Sequence, residues 1–449
     1  LTISQTNLAL SGNSTLTSDE ALSFVTLNLN NFKLTLGSST SDLTVENAIT
    51  IDASTEGILT GGADLLLSAL TLSAGDVTST GGIVSLSGGG QLSGTGKLDV
   101  SGSTWVLGGD FVKSSGTLTI SQTNLALSGN STLTSDEALS FVTLNLNNFK
   151  LTLGSSTSDL TVINAITIDA STEGILTGGA DLLLSALTLS AGDVTSTGGI
   201  VSLSGGGQLS GTGKLDVSGS TWVLGGDFVK SSGTLTISQT NLALSGNSTL
   251  TSDEALSFVT LNLNNFKLTL GSSTSDLTVI NAITIDASTE GISTGGADLI
   301  LLAPLNISNG SVASTGGIVS LSGGGQLSGT GKLDVSGSTW GLGGNFEKSS
   351  GTLTISQTDL KLEGNSTLTS DVALSFVNLN LNDFTLTLGS LTSDLTVINA
   401  ITIDASTEGI STGEADLTVE GDFTLAQGKL ESTSGKLIFR QGGTQSGSS

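Results

Sequence analysis

The sequence has no cysteine, histidine, methionine or tyrosine, and its one proline is Pro304 among 449 residues. Without cysteine there is no disulfide framework and no thiolate metal site. Without histidine there is no imidazole ligand, no histidine acid or base, and no Ser-His-Asp triad. Basic residues are scarce: 13 Lys and Arg stand against 39 Asp and Glu, a net charge of −26. Such a chain is repelled by phosphate backbones, so nucleic acid is not expected as a partner. Long apolar runs are missing too. The longest, Leu299 to Ala303, falls far short of the roughly 20 residues a spanning helix needs, so no membrane span is expected in this segment. This inventory nominates no catalytic, cofactor-binding or metal-ligating residue.

What is present excludes disorder. Hydrophobic residues make up 36 %, whereas disordered acidic chains are poor in Leu, Ile and Val. The 62 glycines and many Ser, Thr and Asn point to a chain that turns often. It opens in mid-pattern, without an initiator methionine or a basic-then-apolar signal peptide, and reads as a processed part of something longer.

Self-comparison is the most informative step. LTISQTNLALSGNSTLTSDEALSF begins at Leu1, Leu118 and Leu235, and recurs at Leu353 as LTISQTDLKLEGNSTLTSDVALSF. The first two spacings are 117 residues; the third is 118, through an insertion near Pro304. The chain therefore divides into four tandem copies, 1–117, 118–234, 235–352 and a divergent, truncated 353–449. Copies one and two differ only at Glu46 against Ile163. Such arrays are usually solenoids or beads on a string.

Within a copy, apolar-x-apolar triplets recur: LTI (Leu1 to Ile3), LAL (Leu8 to Leu10), LTV (Leu43 to Val45), ITI (Ile49 to Ile51), LTL (Leu70 to Leu72) and LDV (Leu98 to Val100). The period of two is that of strands, and no helical period persists. Differences between copies form a natural mutation series. Ala9 becomes Lys361 and Ser11 becomes Glu363 while Leu8 and Leu10 persist as Leu360 and Leu362; Val112 becomes Glu347 beside Phe111 and Phe346. Charge enters at alternate positions because an unpaired core charge is costly. The apolar members of the triplets should face a core, and the intervening residues water.

Three such strands make a coil of about 20 residues, so the fold class expected is all-β: a right-handed parallel β-solenoid, or β-helix, of three-strand coils. About 22 coils at the strand spacing would give one continuous rod on the order of 100 Å. The competing fold is an array of β-sandwich domains, each with its one Trp (Trp105, Trp222, Trp340). Sandwich strands are longer, however, with turns every 8 to 12 residues. Neither end carries a recognisable cap. A bare coil edge templates further strands, so the partners expected are the chain itself, stacked end to end, or the continuation of a longer chain.

GGDFVKSSGTLTIS (Gly108 to Ser121), LTLSAGDVTSTGG (Leu70 to Gly82) and VEGDFTLAQGKLESTSGKLIF (Val419 to Phe439) resemble the coils of very large bacterial surface and secreted β-solenoid proteins, the filamentous-haemagglutinin-like adhesins and autotransporter-type passengers. The resemblance covers essentially the whole chain but rests on coil patterns. It implies an acidic, extracellular structural segment of a bacterial fibre, filament or adhesin stalk at the cell surface, not an enzyme, with glycans or other cell surfaces as further partners. It carries over no binding residue.

Other motifs compete with that reading. GGGQLSGTGKL (Gly88 to Leu98) imitates a phosphate loop, but Gln91 stands where the first Gly is required and Leu98 follows Lys97. Gly61-Gly62-Ala63-Asp64 and Gly108-Gly109-Asp110 begin, without completing, a calcium-binding nonapeptide. Asp110 becomes Asn345, and the acidic pair Asp19-Glu20 loses its Glu at Val372. No cofactor is expected beyond weakly held calcium. Thr15-Leu16-Thr17 and Thr78-Ser79-Thr80 fit an ice-binding ladder locally, though Asn28, Lys33 or Asp99 interrupt it. The tryptophans could stack on sugars or pack at coil corners, and a carbohydrate- or ice-binding face is the alternative function. A polysaccharide-cleaving groove would need clustered Asp, Lys and Arg, yet Arg440 is the sole arginine. Asn13-Ser14-Thr15 matches a glycosylation sequon, a weak signal in a bacterial chain.

Overall fold

The computed structural model describes residues 5–445, and the LTI triplet at Leu1–Ile3 and the last residues of the polar tail lie outside them. Among the described residues there are 64 short parallel strands, β1 (Asn7–Ala9) to β64 (Gly443–Gln445), and no helix. The chain divides into two compact units. One runs to Val223 and includes Ser232–Thr236; the other takes Leu224–Ser231 and everything from Ile237 onward.

Each unit is a β-solenoid. Strands pair with the third strand on, so three strands make one coil. In the first unit β7 (Ile49–Ile51) pairs in parallel with β10 (Leu70–Leu72), β10 with β13 (Gly90–Leu92), and β13 with β16 (Phe111–Lys113). Each strand inside a ladder thus hydrogen-bonds to the coils before and after it. The second unit repeats the pattern, as in β41 (Ile283–Ile285), β44 (Leu305–Ile307) and β47 (Gly325–Leu327).

The core lies where the alternation placed it. Leu10, Leu70, Leu72 and Val100 are buried, as are Leu360 and Leu362, while Ala9 is exposed and Lys361 half-exposed. A fully buried Leu contributes about 1.5–3 kcal/mol over an exposed one, so a column of stacked leucines outweighs the weak propensity of three-residue strands. The LTI triplets depart from this rule. Leu118 and Ile120 are only half-buried, because β17 (Thr117–Thr119) is the last strand of its ladder and β20 (Leu139–Phe141) begins another.

The repeat and the coil have different lengths. One copy contains 17 strands, β1 to β17, and at three strands per coil this is five and two-thirds coils. Equivalent strands in successive copies therefore fall on different faces. β7 belongs to a ten-stranded ladder, but its copy-two equivalent β24 (Ile166–Ile168) is in another sheet. At that level the ladder of β7 holds β25 (Gly174–Gly178), the equivalent of β8 (Gly57–Gly61).

Junctions between copies share one core. Trp105 and Phe111 of copy one meet edge to face, their rings 4.8 Å apart, and Trp105 lies 6.1 Å from Phe141 of copy two. Trp340, Phe346 and Phe376 repeat the arrangement between copies three and four. Packing across the boundary is that of one continuous core and not of separate sandwich domains.

Candidate functional site

The coil corners account for most of the polar residues singled out in the sequence. Asp64 Oδ1 accepts the Ile83 N–H at 2.7 Å, and Asp110 Oδ1 accepts the Thr132 N–H at 2.7 Å. Asn345, which replaces Asp110, accepts the Thr367 N–H at 3.0 Å with its amide oxygen. The aspartate-to-asparagine exchange preserves the hydrogen bond, so these carboxylates satisfy backbone donors. Among the described residues, no group of three or more carboxylates is placed to hold a metal ion. Glu56, buried in a tight turn, accepts the N–H of Asn31 at 3.0 Å and of Asp52 at 3.2 Å. It thereby holds the left-handed Asn30-Asn31 pair (φ 49° and 68°) of the preceding coil. The sequon residue Asn13 accepts the Lys33 N–H at 2.9 Å.

The glycine-rich stretch is not a phosphate loop. Gly89 has φ 82°, and a Cβ there would lie 1.9 Å from the Asp110 carbonyl oxygen of the next coil. Its glycines let backbones stack, and the segment continues as β13 and β14 (Lys97–Asp99) with no helix to receive a phosphate.

The three tryptophans are fully buried. Sugar stacking is thereby ruled out for them, because alternation sets each on the inward side of its strand. The outward row Thr15, Thr35, Leu59, Thr78, Asp99 is registered strand to strand. Leu59 and Asp99 interrupt any threonine ladder there.

Sequence reasoning missed a set of inward lysines. Ile51, Leu72, Leu92, Lys113 and Ser135 occupy one inward column, and Lys113 is 3 % exposed. Its ammonium donates to Asp136, and to Glu137 at 3.1 Å. Lys230 does the same with Asp253 and Glu254, and Lys348 with Asp371. Burial by itself would lower the Lys113 pKa, but hydrogen bonds and charge from Asp136 and Glu137 outweigh it and hold the pKa above the ordinary 10.5. The bond from Lys113 holds Asp136 below the ordinary 3.8. Lys230 and Asp253 shift in the same directions for the same reasons. Each pair joins the end of one copy to the start of the next. The signal that could have found them is one of register: Lys113 stands two residues from the inward Phe111, and an Asp-Glu pair follows one coil later.

Outward charge is organised as well. Lys33, Gly57, Asp76 and Lys97 form one row across four strands. Lys33 Nζ lies 3.3 Å from Asp76 Oδ2, and Lys150 Nζ lies 3.5 Å from Asp193 Oδ2 in copy two. Arg440 pairs with Glu420 at 3.3 Å. No family, curated protein or solved structure matches the chain.

Proposed function

We propose that this chain is a non-enzymatic structural segment of an extracellular bacterial fibre, filament or adhesin stalk. The observation that carries the reading is the junction between copies, where a shared aromatic core and a buried lysine–carboxylate pair bind copy one to copy two and copy three to copy four. A copy joined in this way transmits load through parallel ladders and side-chain packing, which is what a projecting segment requires. The polar rows and corner aspartates support the same role. Their side chains satisfy backbone donors or face water, and outward charge discourages lateral sheet pairing.

The reading is tested by immunogold electron microscopy on intact producing cells with antibodies against this chain. Label on the outside of unpermeabilised cells, extending outward from the envelope, is the expected result. Label that appears only after permeabilisation overturns the proposal.

A further inference from the structure

The lysine rows differ among the copies in one respect that changes their chemistry. In copies one and two an aspartate stands between the lysines: Lys33, Gly57, Asp76, Lys97 and Lys150, Gly174, Asp193, Lys214. The carboxylate is the anion that the lysines share. In copy three the same row reads Lys267, Gly291, Ser311, Lys332. The aspartate has become serine, both lysines remain exposed, and neither makes an ion pair among the described residues. The adjoining corner changes too, Ala74 of copy one being replaced by Asn309.

A cleft of about 290 Å³ lies beside this row, lined by Lys267, Ser288, Asn309, Ser311 and Lys332. No carboxylate lines it, whereas Asp76 and Asp193 hold the position of Ser311 in the rows of copies one and two. Gly291 contributes no side chain between Lys267 and Ser311, so the centre of the row stays open. The two lysine Cα atoms are three strand spacings apart, about 14 Å, and their flexible stems allow both ammonium groups to turn toward that centre. Asn309 Oδ1 accepts the Thr330 hydroxyl at 2.9 Å and the Gly310 N–H at 3.1 Å, which leaves its NH₂ as a donor.

Two of the nearby acids are engaged by backbone donors. Glu290 is buried and accepts the N–H groups of Asn265, Asp286 and Ala287. Asp334, two residues along the strand from Lys332, accepts the Ser336 N–H at 3.0 Å. The large negative charge of the chain is screened beyond about 8 Å at physiological salt, which leaves the two lysines and the few acids beside them to set the local potential.

We propose that this cleft binds a doubly charged oxyanion, a sulfate or phosphate group, in the place that Asp76 and Asp193 fill in the other copies. Equilibrium dialysis of the full chain at physiological ionic strength, with inorganic sulfate, inorganic phosphate and a sulfated disaccharide as separate probes, tests it. One saturable site per chain is expected for at least one probe. Binding of the inorganic ions assigns the site to the free oxyanion, and binding of the disaccharide alone assigns it to an ester. Ser311→Asp restores the arrangement of copies one and two, so it keeps the fold while supplying an internal anion, and should weaken binding about tenfold or more. Lys267→Met with Lys332→Met should abolish it, and Asp76→Ser should create a second site. No saturable binding of any probe, or binding unchanged by Ser311→Asp, overturns the proposal.

Discussion

Gly341 of copy three and Glu363 of copy four occupy mutually adjusted space. A Cβ on Gly341 would lie 2.4 Å from Glu363 Oε1. The other carboxylate oxygen of Glu363 accepts the hydroxyls of Ser320 at 2.5 Å and Ser322 at 3.2 Å. In the earlier copies these two positions are Val106 and Ser128, or Val223 and Ser245. The larger acid stands where the valine is replaced by glycine, so these two positions differ together from the earlier copies.

Gly341→Val should displace the Glu363 carboxylate from its serine partners. The loss of those hydrogen bonds is worth about 1–3 kcal/mol, since a charged acceptor is involved. Gly341→Val with Glu363→Ser rebuilds the arrangement of copies one and two and should recover most of it. Hydrogen exchange of residues 339–363 in both variants measures the difference; equal protection in single and double variants contradicts the coupling.

The buried lysines should be asymmetric in their mutants. Asp253→Asn with Glu254→Gln leaves Lys230 in the core without a counter-charge, a loss of about 3–5 kcal/mol in a fully buried pair. Because both acids are about half exposed, solvent reduces this to roughly 1–3 kcal/mol. Lys230→Met keeps volume and removes the charge, and should be near neutral. Urea unfolding followed by hydrogen exchange at this junction ranks the two.

The same pairs impose a pH dependence. Asp136 and Asp253 have pKa values lowered from 3.8, so their contribution is present above that value and is lost as pH falls through the lower, folded-state values. Lys113 and Lys230 have pKa values raised from 10.5, so theirs is present below 10.5 and lost as pH rises through the folded-state values. Thermal melting of the wild-type chain and of Lys113→Met with Lys230→Met should differ by a constant amount between about pH 5 and 10. That difference should be small, and the two curves should separate only outside that window, where the wild type alone loses stability.

Much of this was legible in the sequence. Leu10 and Ala9 announced the inward and outward sides of their strand, and the exchanges to Leu362 and Lys361 checked them. Three features were not. The inward side chain of Lys113 was hidden because lysine is seldom buried; only its register beside Phe111 and an acidic pair one coil away identify it. The half-burial of Leu118 was hidden because triplet composition does not reveal where a ladder ends. The outward lysine row was equally hidden, since Lys267 and Lys332 are 65 residues apart in the chain and only strand register aligns them.

The mismatch between a 17-strand copy and a three-strand coil makes a final prediction. If a copy were a whole number of coils, β19 (Ser131–Ser135) would share the ladder of its copy-one equivalent β2 (Ser14–Leu16), which ends in β17. Instead β19 pairs with β16, which registers Val112 with Thr134. Paired residues on adjacent strands lie about 4.8 Å apart, within the Cα range that a disulfide spans. The chain has no cysteine of its own, so engineered pairs report without background. Val112→Cys with Thr134→Cys should cross-link on mild oxidation. Mass spectrometry would then find the peptide ending at Lys113 joined to the one ending at Lys150. Thr119→Cys with Thr134→Cys should remain reduced. Cross-linking of the second pair in preference to the first would mean that equivalent faces of the two copies are aligned, and that the one-third-turn rotation between them is wrong.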